Sequence, residues 1–123
     1  MKMIARAYLE LLSLEYFLFR KDFAAIYDKV REIPVCSRSF RAITAEQICD
    51  AIDLAAALHF KQTLCLQRSA AAASLLKKQG FAAEMVIGVQ QLPFLAHAWV
   101  EVDGLVVNDK PYVPEIYSIL TRC

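Results

Sequence analysis

The sequence predicts an α+β domain, with helices in the first half of the chain and a small antiparallel sheet in the second. Apolar side chains recur at helical spacing from residue 3 to about residue 60, and an alanine-rich helical stretch follows. Beyond Gly80 the pattern changes to short apolar or alternating stretches separated by turn residues, which is typical of strands. A chain of 123 residues corresponds to one domain. We therefore expect a single domain over residues 1–123, with a helical part over 1–60 and a second part, 61–123, that holds one further helix and the sheet.

Four helices are predicted ahead of the sheet, over residues 3–20, 22–31, 44–60 and 63–80. Pro34 ends the second helix, because the residue before a proline is pushed out of the helical region. Thr44 and Gln47 have the spacing of a capping box at the start of the third. Gly80 provides a stop for the fourth.

The predicted sheet consists of a strand over residues 81–89 and a hairpin over residues 96–109. The hairpin turns at Asp103 and Gly104, a pair favoured in such turns. Prolines follow the hairpin and end the sheet. Residues 115–120 are predicted to form one or two further helical turns.

Composition argues against several classes of function. The net charge is +1, from 14 basic and 13 acidic side chains, so there is no excess of basic charge for nucleic-acid binding. The four cysteines include no CxxC pair, and the two histidines form no cluster with them, so we expect neither a metal site nor a cofactor. So few cysteines in a helical chain predict reduced thiols and a cytoplasmic protein.

The chain is unusually apolar, with 58% hydrophobic residues and a mean hydropathy of +0.37. This surplus indicates a surface that meets a partner, a membrane or a second copy. Arg6, Glu10 and Glu15 interrupt the apolar N-terminal segment, which argues against a signal peptide and against a membrane span. An amphipathic helix is predicted there instead.

Cys65, His97 and Asp109 follow one another on a predicted helix and two strands, as in thiol hydrolases and acyl transferases. If Thr63 caps the helix, Cys65 lies in its first turn, where unpaired amides favour a thiolate and could hold an oxyanion. His97 is the candidate general base and acid, and Asp109 is the candidate to orient its imidazole. Each also has an ordinary structural explanation, since most free cysteines are simply buried.

The hairpin register decides whether Asp109 can reach His97 within the sheet. A two-residue turn at Asp103 and Gly104 would place Asp109 on the face opposite to His97. A three-residue loop that begins at Val102 would place the two directly opposite each other, and opposed residues share a face. The sequence allows both registers.

Four further residues are predicted to bind substrate or an oxyanion: Gln62, Arg68, Trp99 and Glu101. Each has a structural alternative. Gln62 could be an ordinary loop residue, and Arg68 could pair with an acid such as Glu101. Trp99 lies on the His97 face of its strand, where a large aromatic side chain is more often part of the core.

These candidates lie within five short motifs: Cys65-Leu66-Gln67-Arg68-Ser69, residues 75–83, residues 86–89, Pro93-Phe94-Leu95-Ala96-His97-Ala98-Trp99-Val100-Glu101, and Val106-Val107-Asn108-Asp109. Together they resemble the lasso-peptide leader peptidases, the transglutaminase-like maturation proteases of lasso-peptide gene clusters. The resemblance covers roughly the last half of the chain. The earlier helices match that family only in being apolar and bearing arginine.

The resemblance implies a transglutaminase-like, papain-like core whose Cys, His and Asp fall on Cys65, His97 and Asp109. It implies a cysteine peptidase that cleaves the leader from a ribosomally made precursor through a thioester. The implied partners are the precursor peptide, a separate leader-recognition protein and the lasso cyclase. Because the residues before Cys65 are predicted to be helical, we expect a stand-alone peptidase that relies on the recognition protein in trans.

Two other functions fit the same residues. A transglutaminase or amidase would share the thioester intermediate and differ only in whether water or an amine enters. A non-catalytic docking protein would use the three residues for structure alone.

Overall fold

The structure, a computed structural model, describes residues 2–36, 44–58, 65–91 and 93–123. The helices are α1 (Lys2–Phe19), α2 (Phe23–Glu32), α3 (Ala45–Leu58), α4 (Cys65–Lys78) and α5 (Val113–Ile116). The strands are β1 (Ala83–Gln90), β2 (Leu95–Val102), β3 (Leu105–Val106) and β4 (Ser118–Arg122). The α+β class predicted from the sequence is confirmed. Within these ranges, no helix is both long enough and apolar enough to cross a bilayer.

The helix ends agree with the sequence signals. The backbone N–H of Thr44 donates to Oε1 of Gln47 at 2.9 Å, and the N–H of Gln47 donates to Oγ1 of Thr44 at 3.1 Å. The predicted capping box is therefore confirmed. At the end of α4, Gly80 adopts a φ of 93°, and the N–H of Phe81 donates back to the carbonyl of Leu76 at 3.0 Å. This left-handed stop satisfies helix carbonyls and turns the chain into β1.

The four strands form one antiparallel sheet in the order β3-β2-β1-β4. Residues 115–120 were predicted as helical turns, and this prediction is only partly right. A single turn, α5, is followed by β4, which pairs with β1. Most of the side chains of β4 are exposed, so the strand lacks the alternating apolar pattern that would reveal it in the sequence.

The sheet has two differently covered faces. The inner face, with Met85, Ile87, Ala98 and Val100, packs on the helices in the main core. The outer face holds a smaller cluster built on Trp99 and covered by residues from α5 and the segment after it. Alternate residues of β2 therefore point to different environments, which places His97 on the outer side with Trp99.

Helix α4 is the central element. Its alanine run, residues 70–73, is fully buried, and α4 contacts α1, α2 and α3 as well as β1 and β2. Polar ties fix its position: Gln67 Nε2 donates to the carbonyl of Leu11 at 3.0 Å, and Lys77 Nζ donates to the carbonyl of Val30 at 2.7 Å. Because the alanine side chains are small, the other elements approach α4 closely. The two hydrogen bonds fix the position of the helix and therefore of its first residue.

Candidate active site

Cys65 is the first residue of α4, and its side chain is exposed. The helix has 14 residues, and the amides of its first turn have no partners within the helix. The positive end of the helix dipole therefore lies beside the thiol and could stabilise an oxyanion formed there. The predicted cap, Thr63, and the predicted substrate residue Gln62 lie outside the described residues.

His97 and Asp109 are in direct contact. Nε2 of His97 lies 2.5 Å from Oδ2 of Asp109, and the side chains are 26% and 27% exposed. The other carboxylate oxygen, Oδ1, accepts a hydrogen bond from the backbone N–H of Lys110 at 2.8 Å. The carboxylate is thus held from both sides. It can orient the imidazole and offset a positive charge on it, while Nδ1 is the ring nitrogen that could exchange a proton with a thiol.

The hairpin does not have the register that would place His97 and Asp109 directly opposite each other. The turn contains two residues, Asp103 and Gly104, with φ of 53° and 80°. Of the two registers that the sequence allows, the structure therefore has the two-residue turn. Asp109 nevertheless reaches His97, because β3 ends at Val106 and the chain bends over the next three residues. Side chains alternate between the two faces of a sheet only within a paired strand, so the residues that follow β3 can point elsewhere.

After β3 ends, the side chain of Asn108 continues the hydrogen bonding to β2. Oδ1 of Asn108 accepts from the backbone N–H of Val100 at 2.8 Å, and Nδ2 of Asn108 donates to Oγ of Ser69 at 3.1 Å. Ser69 Oγ in turn donates to the carbonyl of Ala98 at 3.0 Å. This network joins α4, β2 and the segment that carries Asp109. Sequence reasoning missed it, although a serine one turn after the cysteine, in an alanine-rich helix, was a usable signal.

The imidazole of His97 lies beside two aromatic rings. Its centroid is 6.1 Å from that of Trp99 and 5.3 Å from that of Tyr117. Gly88, which pairs with His97 across the β1–β2 ladder, leaves the space for them. A Cβ on Gly88 would lie 2.7 Å from both the Trp99 ring and Cβ of Tyr117. The aromatic packing around His97 therefore requires glycine at position 88.

Cys65 and His97 line one cavity of about 230 Å³. Its other walls are Phe23, Tyr27, Leu66, Ile87, Ala96 and Ala98. The structure thus places Cys65 and His97 at one cavity and joins the imidazole of His97 to the carboxylate of Asp109. Across the described ranges, no group of three or more His, Cys, Asp or Glu side chains is placed to hold a metal ion.

Arg68 pairs with an acid, as its structural alternative predicted, but the acid is not Glu101. Arg68 forms an ion pair with Asp53 of α3. Glu101 accepts from Nη1 of Arg122 and from Nε1 of Trp99, both at 2.9 Å. The physical reason is the position of Glu101 on the outer face of the sheet, with the sheet between it and α4.

Trp99 and Glu101 were predicted to bind substrate, but both are buried, at 0% and 5% exposed. Burial alone would raise the pKa of Glu101. Hydrogen bonds from Trp99 and Arg122 outweigh that effect and hold the pKa below its ordinary value. Each side chain has hydrogen-bond partners within the fold: Trp99 donates to Glu101, and Glu101 also accepts from Arg122.

Comparison with known proteins adds two similarities. Residues 8–122 match the family described as the transglutaminase-like superfamily. A stretch of 58 residues is 41% identical to the microcin J25-processing protein McjB of Escherichia coli, and this stretch covers 47% of the chain but only 28% of that relative. No solved structure matches the chain significantly. The resemblance to a lasso-peptide maturation protein is confirmed over that stretch. Since the family match extends over nearly the whole sequence, the chain belongs to the transglutaminase-like superfamily.

Proposed function

We propose that this chain is a cysteine peptidase that removes the leader from a ribosomally made lasso-peptide precursor. The observation that carries the proposal is the hydrogen bond between His97 and Asp109 beside a cavity that also exposes Cys65 at a helix N-terminus. Nucleophile, base and orienting carboxylate are then in the three roles that thiol catalysis needs. Similarity to a microcin-processing protein supports the choice of substrate.

The reaction divides into two acyl transfers. In the first, His97 takes the thiol proton, and the sulfur of Cys65 attacks the scissile carbonyl, whose oxyanion forms beside the first amides of α4. The C–N bond then breaks, and the imidazolium gives its proton to the departing amine of the core peptide. In the second, His97 deprotonates a water that attacks the thioester, which releases the leader as a carboxylic acid and restores the thiol. Asp109 orients the imidazole throughout.

We propose three partners for this reaction: the precursor peptide, a separate protein that recognises its leader, and the lasso cyclase that receives the freed core peptide. The exposed side chains of Leu9 and Tyr16 on α1 supply apolar surface for such contacts. All four cysteines are free, which supports a reaction in the reducing cytoplasm.

The test is cleavage of a purified precursor, followed by mass spectrometry, with and without the recognition protein. We expect hydrolysis at one bond, faster with the recognition protein and abolished by Cys65→Ala. Cys36→Ala is the matched control, because Cys36 is half-buried and does not line the cavity. If the wild-type chain leaves a verified precursor intact in the presence of the recognition protein, the proposal fails.

Amine transfer is the second candidate, and membership of the transglutaminase-like superfamily favours it. The thioester at Cys65 would then be attacked by an amine instead of water. Incubation of a glutamine peptide with a labelled primary amine separates the two reactions. Incorporation of the label, dependent on Cys65, would favour transfer. If the chain neither cleaves the precursor nor transfers the amine, a non-catalytic docking role is the alternative that remains.

A further inference from the structure

We propose that the cavity beside Cys65 is a subsite for one uncharged, apolar side chain of the substrate, carried by a residue at or next to the scissile bond. This inference rests on the proposed peptidase function and names the chemistry that the site selects. It also gives a role in the site to α2, for which the sequence predicts only a helix.

The walls of the cavity supply the first argument. Phe23 and Tyr27 lie one turn apart on the same face of α2, Leu66 follows the nucleophile candidate on α4, and Ile87 comes from β1. Of the described residues in the lining, His97 is the only one with a nitrogen base, and its Nε2 already contacts Asp109. Among the residues that the structure describes, no acid, lysine or arginine lines the cavity, so a charged side chain would lose its hydration there without gaining an ion pair from them.

The size of the cavity supplies the second argument. Pockets that enclose whole small ligands measure roughly 300–1,000 Å³. The cavity beside Cys65, at about 230 Å³, is smaller than these. It suits a single side chain whose backbone stays outside, in reach of the thiol. A peptide held in this way would present the carbonyl of the same residue, or of its neighbour, to Cys65.

The test uses alkylating probes that place a side chain beside the thiol without any peptide cleavage. N-iodoacetyl-leucinamide and N-iodoacetyl-aspartic acid α-amide both form a thioether with Cys65 and release iodide, and they differ in the side chain. Rates at Cys65 are measured by peptide mass spectrometry and divided by the rates for free cysteine. We expect the leucine probe to react about 10- to 100-fold faster in these normalised units, as burial of one such side chain predicts.

Phe23→Arg should reverse this preference, because it places a cation at the cavity wall. Phe23 is 43% exposed, so the helix tolerates the change. Phe19→Arg is the matched control, since Phe19 is 87% exposed and does not line the cavity. A rise in the relative rate of the aspartate probe with Phe23→Arg, and no change with Phe19→Arg, supports the subsite. Equal rates in the wild type, or an unchanged ratio in Phe23→Arg, overturns it.

Cleavage of the precursor distinguishes this inference from the function on which it rests. Precursor variants carry leucine or aspartate at each of the two positions on either side of the cleaved bond. Cleavage that is indifferent to every one of these changes leaves the peptidase standing and removes the subsite. Preferential labelling by the leucine probe together with no cleavage keeps the subsite and removes the peptidase function.

Discussion

The side-chain nitrogen Nδ2 of Asn108 donates to the hydroxyl oxygen of Ser69 at 3.1 Å. This hydrogen bond joins the segment that carries Asp109 to α4, the helix that begins at Cys65. Ser69 is 1% exposed and lies one turn beyond Cys65. The bond therefore fixes the carboxylate of Asp109 relative to the element that presents the thiol. Since β3 ends at Val106, the side chain of Asn108 supplies hydrogen bonds that further strand pairing would otherwise supply.

Asn108→Ala should reduce kcat for precursor cleavage by about 10- to 100-fold, because a displacement of about 1 Å in a positioned group can cost a factor of 100. The variant loses the acceptor for the Val100 amide and the donor to Ser69, so the segment before Asp109 is no longer anchored. Steady-state kinetics measures the effect, which we expect in kcat and not in KM.

The control for that prediction is the double variant Asn108→Ala, Asp109→Ala. If Asn108 acts by positioning Asp109, its removal should add little once Asp109 is gone, and the two effects should be strongly non-additive. Full additivity would show that Asn108 does not act through Asp109. Thermal unfolding of each variant separates that outcome from loss of folded protein.

Gly88→Ala should destabilise the fold by about 1–3 kcal/mol, as overpacking of a core does. The added Cβ would lie 2.7 Å from the Trp99 ring and from Cβ of Tyr117, so both aromatic side chains would have to shift beside His97. Urea denaturation measures the change in the free energy of unfolding. Gly104→Ala is the comparison: its Cβ meets nothing within 4 Å, and only its φ of 80° opposes the change, at about 1 kcal/mol. Equal effects of the two variants would contradict the packing argument.

Local signals predicted the helices well, since caps and stops depend on neighbours in sequence. Thr44 with Gln47, and Gly80, are examples. Contacts between distant residues were harder to predict. The partner of Arg68 depends on which face of the sheet holds Glu101, and β4 exists because its backbone pairs with β1. The contact between His97 and Asp109 was predicted only for the three-residue loop, because the sequence pattern does not reveal the bend after Val106, where the side chain of Asn108 accepts from the Val100 amide.

Glu101→Gln should lower the stability at neutral pH by about 1–3 kcal/mol, the contribution of hydrogen bonds to a buried charged group. The pKa of Glu101 is held below its ordinary value in the fold, so ionisation stabilises the fold above the unfolded-state pKa of about 4.3. That contribution is lost as the pH falls through the lower pKa of the folded state. The wild type and the variant should therefore converge in urea denaturation between about pH 5 and the acid limit.

Glu84→Gln is the matched control, because Glu84 is the cross-strand partner of Glu101 and faces the same guanidinium. Its carboxylate lies 3.9 Å from Nη1 of Arg122, against 2.9 Å for that of Glu101, and its side chain is 52% exposed. Exposed ion pairs of this kind contribute little to the stability of the fold. A pH dependence as large in Glu84→Gln as in Glu101→Gln would contradict the role assigned to the buried pair.

Alkylation should distinguish the exposed thiol of Cys65 from the buried thiol of Cys49 in the folded protein. Burial, together with the nearby carboxylates of α3, raises the pKa of Cys49 to about 12. Relative to an ordinary thiol pKa of about 8.5, this lowers the thiolate fraction at neutral pH by roughly 10³-fold. Iodoacetamide at pH 7.5 should therefore label Cys65 and leave Cys49 unmodified until urea unfolds the chain.

The half-buried thiol of Cys36 serves as the internal reference for this experiment, because it does not line the cavity. Labelling of Cys49 at the rate of Cys65 without denaturant would contradict the packing of α3. If Cys65 instead reacted no faster than Cys36, the helix N-terminus and His97 would give the thiol no advantage over an ordinary cysteine. A thiol without that advantage is a poor nucleophile at neutral pH, and the docking role would then explain the chain better than catalysis.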